Sequence, residues 1–379
     1  MRWLILCTML ALAVSGQKIP EIPGAAPAKD PAAGKWKIRY FYDENKTRLS
    51  LGDFAFAGAK YGIAAGAIVD EHGKGKGTAL ITHDGGQKWT LTPLQHEAIS
   101  VFPLGEGRFF IVTPKALYYT DEGGAKFDKR KAPEGLLRVF FFNENKGFGV
   151  GDGKIAWRTS DGGRSWTKIP ESESLNVTPE WSGLNCVEFA NDKMGIIAGN
   201  SKRASMTRYP GWMDPERAAR RRQTPSTVIS LQTHDGGETW QPQLGSVFGF
   251  VTRLRLSATG FGLALWSYGD DFDWPSEVME LDLRTGKSIP VFRRKDVNIT
   301  DVLIRQDGSA VLAGVQPPGK LHDTPLPGMV RVFTSPDRKI WTEYEVDYKA
   351  FAHRAMLARG GDNVYVSTDT GMVLYLDKK

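Results

Sequence analysis

The chain has 379 residues, ordinary apolar content and a formal net charge of +6. It is too long to be a small scaffold held by disulfides, and too mildly basic for its charge to argue for nucleic acid. Its two cysteines, with no CxxC or HExxH spacing anywhere, supply no metal or redox framework, so no cofactor is expected.

The first residues read as a secretory signal. Arg2 supplies the positive end, and Val14-Ser15-Gly16 offers small residues for cleavage. Between them, Trp3 to Val14 is apolar but shorter than the roughly 20 residues a bilayer span needs. Residues 1–16 are expected to be removed, leaving an exported protein, periplasmic or secreted, without an integral membrane span. An uncleaved anchor is the alternative. After cleavage only Cys186 remains, so no internal disulfide can form. Residues 17–34, "QKIPEIPGAAPAKDPAAG", set prolines among Ala and Gly, a composition that builds no core and reads as an extended tether. The folded domain is expected over 35–379, beginning with the strand-like "KWKIRYFYD" from Lys35.

A repeat then takes over. "THDGGQKW" ends at Trp89, "TDEGGAKF" at Phe127, "TSDGGRSW" at Trp166 and "THDGGETW" at Trp240. The steps are 38 and 39 residues, then 74, which is two steps of 37. A worn copy, "TSPDRKIW", ends at Trp341, with Pro336 in the acidic position. A second word precedes the first: "KYGIAAG" from Lys60, "KGFGVG" from Lys146, "KMGIIAG" from Lys193 and "TGFGLAL" from Thr259. Alternating stretches such as "TALIT" lie between the words, and long helical periodicity is absent.

Each unit thus predicts four short strands, a to d, at the period of propeller blades. The expectation is an all-β, seven-bladed β-propeller of four-stranded antiparallel blades. The units run roughly 52–94, 97–133, 134–171, 181–245, 246–293, 297–346 and 347–379. The last has only three strands, so the strand from Lys35, with Trp36 in the aromatic slot, is expected to complete it and close the ring. "STDTG" at 367–371 falls between strands b and c and is not counted as a copy.

These words resemble the Asp-box, or bacterial neuraminidase repeat, of sialidases, some endoglucanases, sorting receptors and photosystem II assembly and stability factors. The pairing of "GFGVG" with "TSDGGRSW" is most similar to the last family. The resemblance implies a propeller and covers nearly the whole mature chain. The chemistry of the box agrees. An Asp accepts hydrogen bonds from its own turn, Gly supplies positive φ, and the aromatic buries a large surface. Asp84, Trp89, Glu122, Phe127, Asp161, Trp166, Asp235, Trp240 and Trp341 are therefore assigned structural roles. His83 and His234 fill a position that is Asp121 or Ser160 elsewhere, so no imidazole chemistry depends on it.

Sites are expected where the blades depart from tight turns. Three consecutive b–c connections are long: "SKRASMTRYPGWMDPERAARRRQTPS", "SYGDDFDWPS" and "QPPGKLHDTPLPG". The candidate binding residues are Arg208, Trp212, Arg217, Arg220, Arg221, Arg222, Asp270, Asp271, Asp273 and Trp274. The arginines suit carboxylates or phosphates, unless they pair with Asp270, Asp271 and Asp273 or are simply solvated. The aromatics are either interface anchors or plugs for their own loops.

The resemblance to assembly factors implies a non-catalytic binding protein, monomeric, that contacts an envelope or membrane-associated protein partner through these loops. The alternative is a glycoside hydrolase, sialidase-like or endoglucanase-like, using carboxylates such as Asp270 and Asp273 on the same face. The arginine triad such enzymes need has no recognisable Arg-Ile-Pro word here, and no catalytic residue is assigned.

Overall fold

The computed structural model describes residues 34–44, 46–202, 225–268, 272–317, 320–321 and 324–377. It is built almost wholly of strands. Five separate four-stranded antiparallel sheets follow one another along the chain. Their outermost spans are Thr47–Pro93, Ser100–Arg130, Leu136–Lys168, Ser182–Val247 and Phe250–Arg293. A larger composite sheet holds Asn298–Ile304, Ala310–Val315, Gly328–Ser335 and Thr342–Val346 together with Ala355–Gly360, Asn363–Thr368, Met372–Asp377 and the first strand, Lys35–Phe41.

Within the composite sheet the chain's beginning meets its end. Lys35–Phe41 pairs antiparallel with Met372–Asp377, with Trp36 opposite Leu376. Its start also pairs in parallel with the preceding group, Trp36 opposite Val346. Asp347 N–H adds a bond to the Trp36 carbonyl at 2.8 Å. The Trp36 ring is 1 % exposed and packs in a cluster that takes Val311, Val315 and Val332 from one side and Leu357, Val366 and Leu374 from the other. The innermost strands form a closed circuit: each packs on the next, and Ala355–Gly360 packs on Thr47–Ala57.

The second word of the repeat has a packing explanation. Six inner strands carry a one-residue bulge: in five it falls at Gly52, Leu137, Asn185, Thr252 and Thr300, and in Ser100–Gly105 it falls at the far end, at Leu104. A bulge pushes a carbonyl toward the neighbouring strand. A Cβ on Gly66 would lie 1.9 Å from the Ser50 carbonyl oxygen, and one on Gly199 would lie 2.0 Å from that of Gly183. The earlier glycine of each word makes room for a ring: a Cβ on Gly62 would meet Phe56 at 2.7 Å, and one on Gly195 would meet Phe189 at 2.4 Å. The four-residue glycine spacing is thus set by one aromatic end and one bulge on the adjacent strand.

The acidic turns join the third and outer strands of their sheets. In the first, Asp84 Oδ1 accepts from the Thr82 hydroxyl at 2.8 Å and from the N–H groups of Gln87 and Lys88 at 2.9 Å. Asp161 and Asp235 repeat the arrangement with Thr159 and Thr233, and each takes a further hydroxyl bond, from Ser165 or Thr239. The two glycines sit at positive φ, Gly85 at 71° and Gly86 at 80°. In the second copy Glu122 instead pairs with Lys126 at 3.7 Å, and Phe127 packs on Tyr118. The aromatics staple the sheets. Trp89 packs on Phe54 and Phe56, Trp166 on Phe141, and Trp341 on Phe292 and Phe333. Trp240 lies against Phe148 of one sheet and Phe189 of the next.

The worn copy needs a correction. Asp337, not position 336, takes the acidic role. It accepts from the Ser335 hydroxyl and from the N–H groups of Lys339 and Ile340. The turn is one residue shorter, so Ser335 replaces the leading threonine. Arg338 occupies positive φ, 64°, in place of glycine. Its guanidinium is tied down by Glu280 and the Gly308 carbonyl.

These turns also imply an acid sensitivity. The Ser165 hydroxyl, the Ser165 N–H and the Thr159 hydroxyl hold the Asp161 carboxyl down at about 2. Asp235 is lowered by the Thr239 hydroxyl and N–H, then by Thr233. An Asp in the unfolded chain titrates near 3.9. A lowered folded pKa means that the stabilisation is complete above about pH 4 and is lost as pH falls toward about 2. Urea midpoints measured between pH 5 and pH 2.5 should fall across that window. The slope should be shallower in Asp161→Asn/Asp235→Asn; equal slopes would show that the turns do not carry it.

Candidate functional site

Antiparallel pairing fixes two faces. The a–b and c–d turns, including the acidic turns, lie on one; the b–c and d–a connections lie on the other. The long connections leave from three consecutive sheets on the second face, between Ser201 and Ser226, Ser267 and Ser276, and Val315 and Gly328. Of the sequence-predicted residues, Arg208, Trp212, Arg217, Arg220, Arg221, Arg222, Asp270 and Asp271 lie outside the described residues.

What is described is the base from which they leave. Asn200 donates to the Ser226 hydroxyl at 3.3 Å and accepts from Val251 N–H at 2.8 Å; Ser226 donates to the Gly249 carbonyl at 2.6 Å. The neck of the arginine-bearing connection is thereby pinned to the turn between its own sheet and the next. On that turn Phe248 and Phe250 are 39 % and 38 % exposed. The Lys202 ammonium lies 5.5 Å from the Phe250 ring, and Phe272 packs edge-on to Phe248 at 5.7 Å.

Trp274 is half-buried. It stacks on Phe272 and lies under the Arg293 guanidinium, 4.3 Å from the ring centre. Asp273 is exposed and bridged by Lys295 at 2.8 Å. Arg293 is itself held by Glu277, which also accepts from the Tyr268 hydroxyl at 2.6 Å. The aromatics at this loop base therefore form a connected ledge, part plug and part open surface.

Sequence reasoning missed a second constellation, in the central channel. The residue after the bulge points the inner strand's chemistry inward, and at four of those five positions, each on a different sheet, it is charged: Asp53, Arg138, Arg253 and Asp301. Arg253 Nη2 donates to Asp53 Oδ1 at 2.9 Å, and its Nε lies 3.3 Å from Asp301 Oδ1. Arg138 Nη1 reaches Asp53 Oδ2 at 3.2 Å. Backbone N–H groups complete the carboxylates, from Val101 to Asp53 and from Val302 and Leu357 to Asp301. Arg253 and Asp53 are each 4 % exposed.

Burial disfavours charge on both groups, yet each partner reverses it. Arg253 and Arg138 bring the Asp53 carboxyl well below the usual range, and Asp301 and Asp53 hold Arg253 above the ordinary arginine value. Burial pushes the neighbouring Cys186 thiol up to about 11, so it stays protonated. The cluster borders a cavity of about 330 Å³. Its lining runs along every inner strand from the bulge level toward the a–b turns, on the side opposite the long connections. The only signal in the sequence was a lone charge inside an otherwise apolar strand, as in "LGDFAFA" and "NITDVLI". Among the described residues, no group of three or more His, Cys, Asp or Glu is placed to hold a metal ion, and no helix is long and apolar enough to cross a membrane.

No protein-family model and no curated protein matches this chain. Solved structures do. YCF48 bound to a D1 peptide is 14% identical with a TM-score of 0.56, covering 89% of this chain and 99% of that one. YCF48 from Cyanidioschyzon merolae is 15% identical at TM-score 0.56, covering 90% and 98%. The GH74 xyloglucanase from Xanthomonas campestris is 12% identical at TM-score 0.54, and the match covers 89% of this chain and 53% of that enzyme. At these identities the likeness shows the fold: this chain is a β-propeller.

Proposed function

We propose that the protein is an exported, non-catalytic, seven-bladed β-propeller of the Asp-box type that binds a protein partner in the cell envelope through the b–c face of its fourth to sixth blades. Reading the composite sheet as two blades gives the seven, with Lys35–Phe41 as the outer strand of the last. The recurrent Thr–Asp–Gly–Gly hydrogen bonding supports the Asp-box assignment.

The observation that carries the binding reading is the open aromatic ledge of Phe248 and Phe250 at the neck of the arginine-bearing connection. Exposed aromatics are enriched at interface centres over ordinary surface. That one solved propeller of the same fold is described as bound to a D1 peptide supports a peptide or protein as the partner class. Hydrolysis of a glycoside is less well supported: Asp273, one of the two carboxylates considered for it, is engaged by Lys295.

The test is affinity capture from an envelope extract with quantitative mass spectrometry. Wild type is compared with Arg220→Glu/Arg221→Glu/Arg222→Glu and with Phe248→Ser/Phe250→Ser. Loss of the same protein in both variants is the expected result. Identical captured sets in all three would remove this face from consideration.

A further inference from the structure

The central cavity offers a second site, on the opposite side from the proposed protein-binding face. Four arginines line it, Arg138, Arg253, Arg255 and Arg359, against two carboxylates, Asp53 and Glu188. Their pairing leaves positive charge over. Arg253 spends itself on Asp53 and Asp301, and Arg255 is engaged by Glu188. Arg138 has only the Asp53 oxygen that Val101 N–H already occupies. Arg359, part-exposed at the cavity wall, has no ion pair or side-chain hydrogen bond among the described residues. Even the buried Arg253 keeps one donor, Nη1, without an acceptor. The cluster is short of acceptors by its own count.

We propose that this half of the channel binds a small organic di- or tricarboxylate, held between Arg359 and Arg138. The two arginines stand on opposing sides of the ring, with two inner strands between them one way and three the other. A planar guanidinium pairs with a carboxylate in two parallel bonds, which a lysine could not do. Low-dielectric walls focus the field of the surplus charge into the cavity. A volume of about 330 Å³ suits a metabolite-sized guest, at the small end of the roughly 300–1,000 Å³ typical of such pockets. Phe102, Pro103, Leu256 and Ile304 give the cavity apolar wall for the ligand's carbon body.

The experiment is calorimetric titration of citrate, succinate and inorganic phosphate into the full chain at fixed ionic strength, with chloride as the matched control. Saturable binding of citrate or succinate is expected, at least tenfold weaker in Arg359→Ala. The unliganded melting temperature of that variant should be unchanged, because Arg359 makes no ion pair or side-chain hydrogen bond among the described residues. Affinity should be the same in Arg220→Glu/Arg221→Glu/Arg222→Glu, which separates this site from the loop face. The proposal is overturned by no saturable binding, by phosphate binding more tightly than either carboxylate, or by an affinity that follows the loop arginines instead of Arg359.

Discussion

Trp36→Ala is expected to destabilise the protein by roughly 3–5 kcal/mol, the range for removing a large buried aromatic from a packed core. The indole is almost wholly enclosed, and its Nε1 has no hydrogen-bond partner among the described residues, so the loss is one of packing rather than of a polar contact. The position makes the loss consequential. Trp36 packs against both strand groups of the composite sheet, and its backbone is the point where the two are joined. Filling the site with a smaller ring should recover part of the stability, so Trp36→Phe is expected to fall between wild type and alanine. The measurement is the urea midpoint, with amide exchange of Met372–Asp377 as the local readout. A wild-type midpoint and wild-type protection in Trp36→Ala would show that the first strand is not needed to close the ring.

Asp53→Ala should be of similar size, for an electrostatic reason. Removing this carboxylate leaves the buried Arg253 with one partner instead of two, and Arg138 with none. Stripping one member from a buried ion pair costs roughly 3–5 kcal/mol, because the remaining charge stays desolvated. Replacing both members with apolar residues costs much less. Asp53→Ala/Arg253→Met is accordingly expected to be more stable than the sum of its single variants by a coupling of roughly 1–3 kcal/mol. Additive effects would mean that the charges are solvated through the cavity and that the cluster is not a structural unit. Asp53, whose carboxyl is held low, adds to the acid sensitivity of the turns with the same sign.

The parts of the fold legible in the sequence are those in which one residue type is locally required. A turn that needs Thr, Asp and two glycines in fixed order repeats its letters, and so the acidic turns and the strand pattern around them could be read directly. The role of Lys35–Phe41 was legible by subtraction, since the last unit had only three strands. The turn before Trp341 was misread because a one-residue deletion shifted Asp337 out of alignment while keeping its hydrogen bonds. The charged cluster escaped for a different reason. Asp53, Arg138, Arg253 and Asp301 lie far apart in the chain, on four different strands, and only ring closure brings them together. Of the loop candidates, Asp273 and Trp274 are engaged by Lys295 and by Phe272 and Arg293, contacts set by how the loop folds on itself and against the end of its own sheet's outer strand.

The register of the first strand sets how the molecule is held. Lys35 lies opposite Asp377, so the chain enters and leaves the ring at neighbouring points on the rim, on the side of the acidic turns. Anything attached at either end, whether a membrane leader, a purification handle or a sensor chip, therefore grips the molecule from behind. The aromatic ledge of Phe248 and Phe250 is left facing away from the support, free to meet whatever comes from the other side.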